Sequence, residues 1–300
     1  MTGSADLSAL RAGGKLALAR ALAAAETGGA AELLDAALLA PIGVALGLTG
    51  PPGVGKSTLI AALIPRLRAK GQSIGVIAVD PSSRRSGGAL LGDRTRIRHD
   101  PEDAGVFIRS MAARDQLGGV AEVTYPALVL MRALFDVVIV ETVGVGQSET
   151  EIAELADYVL FCAEPGAGDA LQFMKAGVVE TPDLVLVTKA DAGAAAQRTA
   201  ADLRGALSLA VQHPVPIGIV SARDGTGLDA VDTLLARAAT DAPRLVSRRQ
   251  AQTAAWLRSQ VRANFGRIGL AQCESRLPKP DDAPFLAYHR LLSRIQISYD

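Results

Sequence analysis

Residues Gly50-Pro51-Pro52-Gly53-Val54-Gly55-Lys56-Ser57-Thr58 constrain this chain more than any other stretch. They fill the pattern G-x-x-x-x-G-K-[ST] between an apolar run, Ile42 to Leu48, and a helix-like run, Leu59 to Leu67. Strand, loop and helix are expected in that order. The glycines let the backbone curl so that successive N–H groups face phosphate oxygens, and side chains there would block the approach. Lys56 is expected to reach the β and γ phosphates as a point charge. Ser57 would offer its hydroxyl to Mg2+, at the positive end of the helix dipole. Such a loop implies a nucleoside triphosphate and leaves the base open.

Beyond the loop, short apolar runs alternate with helical patterns. The runs are Ile42 to Leu48, Ile74 to Val79, Gly105 to Ile108, Val137 to Val140, Tyr158 to Ala163, Leu184 to Val187 and Ile217 to Val220. Runs apolar on both faces are those of a mostly parallel sheet with helices on each side. Helical patterns occupy Val120 to Leu134, Ala170 to Val179, Ala194 to Ala210 and Leu228 to Ala238. Leu and Ala at helical spacing over residues 7 to 39, broken at Thr27-Gly28-Gly29, predict two N-terminal helices. After Asp241-Ala242-Pro243 come a basic, Gln-rich helix, Leu245 to Phe265, and a short last one, Phe285 to Ile295. The expected fold is therefore α/β: a core over 41–240, an N-terminal helical extension over 1–40 and a C-terminal helical arm over 241–300.

Composition narrows the class. An apolar fraction of 49% supplies a core, and Lys plus Arg equals Asp plus Glu at 31 each, so no global field favours nucleic acid or an anionic membrane. No apolar run approaches the roughly 18 residues of a membrane span. A secretory signal is not expected, and the two unspaced cysteines, Cys162 and Cys273, fit a reducing compartment, the cytosol. His99, His213 and His289 are scattered and read as surface or packing residues.

Strand ends carry the remaining chemistry. Val137 to Val140 delivers Glu141 at the carboxyl edge of the sheet, where a magnesium-side carboxylate is expected. Gly144, three residues on, can offer its N–H to a γ-phosphate, so that loss of the phosphate frees the loop. Asp80 ends another strand, and a long polar segment with Arg84, Arg85, Gly87, Gly88 and Asp93 follows as a candidate switch. Thr188-Lys189-Ala190-Asp191 after one strand and Ser221-Ala222 after the next address the base. The Asp191 carboxylate would accept two hydrogen bonds from guanine, the Lys189 stem would cover the ring, and Ser221-Ala222 would give a backbone N–H to the guanine carbonyl. Adenine mismatches that set, so GTP is the expected nucleotide. Thr188 stands where Asn is usual, and its shorter side chain is expected to lose a loop-bracing hydrogen bond.

The phosphate loop, Val79 to Ser83, Leu91-Gly92-Asp93-Arg94, Phe107 to Ser110, Leu117 to Ala121, Val140 to Glu149 (V-E-T-V-G-V-G-Q-S-E), Pro165 to Asp169 and Lys189-Ala190-Asp191 together resemble the MeaB/ArgK family. These are GTPase chaperones of adenosylcobalamin-dependent acyl-CoA mutases. The similarity covers roughly residues 15 to 260, and its V-E-T-V-G-V-G-Q-S-E run is family-specific. It implies a P-loop GTPase core with an N-terminal helical extension and a C-terminal arm for homodimerisation. It further implies GTP and GDP as ligands, Mg2+ among Ser57, Asp80, Asp93 and Glu141, and a mutase as partner. A third switch would run from Glu164 to Lys175, with Lys175 assisting partner-stimulated hydrolysis. Arg84-Arg85-Ser86, Met111-Ala112-Ala113 and Lys175-Ala176 depart from the usual residues, which implies an altered partner surface. Two rivals fit less well. A kinase needs an acceptor-binding base that the sequence does not display, and a nickel-inserting GTPase calls for Cys/His clusters.

Overall fold

The computed structural model describes residues 7–81, 97–113, 119–142, 148–166, 182–210, 214–280 and 282–296. Seven strands, β1 Val44–Thr49, β2 Ile74–Pro81, β3 Val106–Ala113, β4 Val137–Glu141, β5 Tyr158–Ala163, β6 Leu184–Val187 and β7 Ile217–Ile219, form one sheet in the order β3-β2-β4-β1-β5-β6-β7. Every neighbouring pair is parallel. Each apolar run of the sequence has become one strand. The helices are α1 Leu7–Ala12, α2 Gly14–Glu26, α3 Ala31–Leu39, α4 Lys56–Arg68, α5 Gly119–Arg132, α6 Ser148–Leu155, α7 Ala194–Ala210, α8 Asp229–Ala236, α9 Ala242–Cys273 and α10 Pro284–Gln296. The Ala170 to Val179 pattern lies outside the described residues.

Alternate residues of the central strands feed two cores, as period-two side chains must when both faces are covered. Val138, Val140, Val159 and Phe161 join a cluster with Leu18, Leu22, Leu34, Trp256 and Phe285 from the N- and C-terminal helices. Ile139, Leu46, Leu48 and Leu160 join the opposite cluster with Leu59, Leu63 and Leu67 of α4 and Val231 and Leu234 of α8. Gly47 makes room for α6, since a Cβ there would lie 2.5 Å from Ile152.

Several boundaries differ from expectation, the largest at a strand being β3, which runs on to Ala113 in register with Pro81 of β2, and three of the others have a local cause. The N-terminal segment makes three helices because Gly14, at φ +63, interrupts the first pattern. The strand expected at Ile42 starts at Val44, because the N–H groups of Ile42 and Gly43 both donate to the carbonyl of Arg132 instead of a ladder. The long helix runs on past Phe265 to Cys273, with Gly266 at a non-helical φ of 68 marking a kink.

A buried carboxylate fixes how these layers meet. Asp157, fully buried, accepts from the N–H of Ala45 in β1 at 2.8 Å and from Arg249 of α9 through Nε at 2.8 Å and Nη2 at 2.7 Å. Arg132 at the end of α5, itself 1% exposed, lies 3.4 Å away on the other side, and Arg249 also donates to the carbonyl of Gly43 at 3.0 Å. Burial alone would raise the Asp157 carboxyl, but the Arg249 hydrogen bonds and the two guanidinium charges outweigh it and hold the group below its ordinary value. At the other end of the same face, Asp35 of α3 accepts from the N–H groups of Phe285 (3.0 Å) and Leu286 (2.9 Å), capping α10.

Asp157→Ala is expected to lower unfolding free energy by about 3 to 5 kcal/mol, because it strands a buried guanidinium. Urea unfolding at pH 7 reads this directly. Folded Asp157 binds its proton less readily than the unfolded chain does. The wild-type advantage over the variant should therefore be complete above about pH 4 and shrink as pH falls through the lower folded value. A pH-independent difference would contradict the ionised, paired carboxylate.

Candidate nucleotide site

At the carboxyl edge of the sheet, β1 ends in the loop Gly50 to Gly55, which turns directly into α4 at Lys56. Gly50, Gly53 and Gly55 have φ of 139, 78 and 102, conformations that L side chains avoid, and a Cβ on Gly50 would also lie 2.3 Å from the Cys162 carbonyl oxygen. Gly55 leads straight into α4, so the positive end of the helix dipole opens on the loop, as the sequence pattern requires. Lys56 is 7% exposed, and its Nζ donates to the carbonyls of Gly50 at 2.7 Å and Pro51 at 3.1 Å. Its charge therefore sits over the loop. Cys162 packs beneath as a small hydrophobe, its thiol pushed up to about 12 by burial.

Ser57 donates from Oγ to Oε1 of Glu141 at 2.8 Å, joining the first turn of α4 to the end of β4. A hydroxyl and a largely buried carboxylate at that distance are hard oxygen donors suited to Mg2+, which takes one or two carboxylates and completes its shell with phosphate and water. Asp80 lies at the end of β2, and only its backbone is described, paired with Ala112 of β3. Asp93, Gly144 and Lys175 lie outside the described residues. Among the described residues no group of three or more His, Cys, Asp or Glu could hold a metal by itself.

The expected base-recognition segment meets the phosphate loop. Thr188 donates from Oγ1 to the Val54 carbonyl at 2.7 Å, with the Ala163 carbonyl at 3.1 Å, so the expectation that its hydroxyl would lose the loop-bracing bond is overturned. The loop comes close enough for the shorter side chain to reach. Lys189 follows in a left-handed conformation, φ 54, and its Nζ pairs with Glu164 at 2.6 Å. Asp191 is exposed in the single 3-10 turn Ala190–Ala192, and the Ala190 N–H donates to the Val220 carbonyl at 3.0 Å, tying this turn to the end of β7. Ser221, buried, and Ala222 open the neighbouring loop, closed by Ser221 N–H to Thr226 carbonyl at 3.0 Å and Gly225 N–H to Ser221 carbonyl at 2.9 Å. Sequence reasoning gave Glu164 no role of its own beside Lys189. Its only signal was its place directly after a strand, and that β5 neighbours β6 is a fact of topology.

The model of the family described as methylmalonyl Co-A mutase-associated GTPase MeaB matches residues 16–271. The chain belongs to this MeaB family of GTPases. A Caulobacter vibrioides protein is 43% identical over 269 residues, 84% of this chain and 82% of the relative. The mouse methylmalonic aciduria type A homolog, mitochondrial, is 38% identical over 235 residues, 75% of this chain and 56% of that protein. A solved structure described as a LAO/AO transport system kinase superposes with a TM-score of 0.67 at 28% identity, covering 99% of both chains. The nickel complex of HypB from Helicobacter pylori, at 19% identity and a TM-score of 0.52, shares the fold. In this MeaB-family GTPase, Glu141 meets the first turn of α4, Thr188 meets the phosphate loop, and the Ala190 turn meets the strand end before Ser221-Ala222.

Thr188→Val keeps the shape and removes the donor, leaving the carbonyl of fully buried Val54 unpaired at a cost of about 1 to 3 kcal/mol. Calorimetric titration with GDP should show roughly tenfold weaker binding, restored in Thr188→Asn. Unchanged affinity in the valine variant would show that the brace does not shape the loop.

Proposed function

We propose that this protein is a GTP-hydrolysing chaperone that gates cofactor loading of, or protects, an adenosylcobalamin-dependent acyl-CoA mutase. The observation that carries the reading is the Ser57 to Glu141 hydrogen bond beneath a glycine-rich loop, in a chain whose family is described as mutase-associated. Loop N–H groups and Lys56 would hold the β and γ phosphates, and Asp191, Lys189 and Ser221-Ala222 the guanine. Ser57 and Glu141, with Asp80 and Asp93, would hold Mg2+, which when bound neutralises charge gathering on the phosphates. Catalysis of this kind is positioning and electrostatics, completed by a partner. Lys175 would enter in the complex and Gly144 would sense the γ-phosphate. In this reading 41–240 is the GTPase unit, 1–40 a helical extension and 241–300 an arm that pairs two copies, in the cytosol.

Capture of an acyl-CoA mutase with the protein loaded with a non-hydrolysable GTP analogue, against GDP, tests the partner. Failure to bind any such mutase in either state would overturn it. The kinase description of one solved relative favours a second reading, phosphoryl transfer to a protein or metabolite. Labelled GTP decides between them by whether the label reaches water or another acceptor.

Two outcomes follow from the site. GTP should be preferred over ATP by at least about a hundredfold, the combined effect of two or more mismatched polar groups. Asp191→Asn should shift preference toward xanthosine triphosphate, and equal calorimetric affinity of the wild type for ATP and GTP would contradict this. In single-turnover hydrolysis, Lys175→Ala should lose most of the ratio between the mutase-stimulated and basal rates, because the charge is positioned only in the complex. An unchanged ratio would return Lys175 to a solvated helix face.

A further inference from the structure

We infer that Glu164 is a positioning residue for nucleotide binding: it holds Lys189 in the orientation that lays its methylene stem against a purine. This rests on the proposed role of the segment Thr188 to Asp191 in binding the base. Glu164 Oε2 and Lys189 Nζ are 2.6 Å apart, yet the two side chains are 37% and 50% exposed, and a pair on mobile backbone at that exposure would contribute little. Here neither backbone is loose. Glu164 directly follows β5, and two residues on, the N–H of Gly166 donates to Thr199 Oγ1 of α7 at 3.0 Å, with Thr199 buried. Lys189 directly follows Thr188, whose N–H donates to the Ala163 carbonyl at 2.8 Å and whose hydroxyl reaches Val54, while the next N–H, from Ala190, donates to Val220. Adjacent strands β5 and β6, in register with Ala163 opposite Val187, thus present the carboxylate and the ammonium side by side.

The left-handed backbone of Lys189 adds to this. A non-glycine residue there is strained and persists where its surroundings determine it. Fixing the ammonium fixes the stem, since four flexible methylene bonds would otherwise sample many directions. The stem contacts the ring face and reads no base edge. Loss of Glu164 should therefore weaken all purine nucleotides alike, whereas loss of Asp191 should change which base is preferred.

The experiment measures steady-state KM and kcat for GTP and ITP with wild type, Glu164→Gln and Glu164→Asp. Glu164→Gln should raise KM three- to tenfold for both nucleotides with kcat within twofold, and Glu164→Asp should recover at least half of that loss on a logarithmic scale. Dissociation constants for GDP should follow KM. An unchanged or lowered KM in Glu164→Gln would overturn the inference, the latter showing that the carboxylate merely repels the nucleotide. So would a change confined to one base, or a fall in kcat at constant KM. If instead the wild type binds ATP as tightly as GTP, the reading of Thr188 to Asp191 fails first and takes this inference with it.

Discussion

The buried charge cluster around Asp157 sets the position of β1, and the carboxyl edge of the sheet depends on where β1 stops. One carboxylate accepts from the β1 backbone, from Arg249 of α9 and stands against Arg132 of α5, so strand, crossover helix and C-terminal helix share one centre. A buried ion group of this kind is weak evidence for net stability, since a well-packed apolar replacement would do as well. What it supplies is register. Arg249 reaches Asp157 and the Gly43 carbonyl together, and a slip of β1 by one residue would break both contacts and turn Leu46 and Leu48 to the wrong core.

From β1 the constraint passes to the loop. Three glycine requirements, at 50, 53 and 55, bring the chain back over Lys56, and the Val54 carbonyl is the point where a second loop takes hold. Thr188 therefore does more than follow a strand. Its hydroxyl couples the segment that would meet the base to the segment that would meet the phosphates, across two strand ends and 134 residues of sequence separation. A rigid link between the two halves of a ligand site lets binding energy gained at one end position the other.

How much of this could be read from the residues divides along a physical line. Local signals were enough where the chain alone decides. Seven apolar runs gave seven strands, Ala194 to Ala210 came out as α7 to the residue, and the phosphate-loop pattern with the acidic strand end after Val140 placed Ser57 and Glu141 at one edge. They failed where a contact is made by residues far apart in sequence. Asp157, Arg132 and Arg249 look like ordinary charges in the chain, and only the sheet order brings them together. Thr188 falls under the same limit: its side-chain length is legible in the sequence, but the 2.7 Å approach to the Val54 carbonyl is not. Gly13-Gly14 is a local signal of the other kind, since a glycine pair in a helical pattern is a break until packing shows otherwise, and here it separates α1 from α2.

The two faces of the sheet bear on how a change at the loop could travel. One face carries α4, which begins in the phosphate loop itself, so any shift there moves Leu59, Leu63 and Leu67 against the strands. The other face is covered by the terminal helices, joined to one another by Asp35 on the α10 N-terminus and by the Trp256 to Phe285 ring contact at 4.6 Å. Their anchor, Asp157, binds β1 at Ala45, and five residues at about 3.3 Å each put it roughly 17 Å from Gly50. A paired parallel strand does not stretch, so the terminal helices can respond only if the sheet moves with them as a body. The strand-end loops are under no such restriction. Among the contacts there, Glu164 with Lys189 joins two part-exposed side chains that can part without disturbing either core, whereas Ser57 with Glu141 ties α4 to β4 and Thr188 braces buried Val54, so a signal leaving this site has its least costly route through the Glu164 pair.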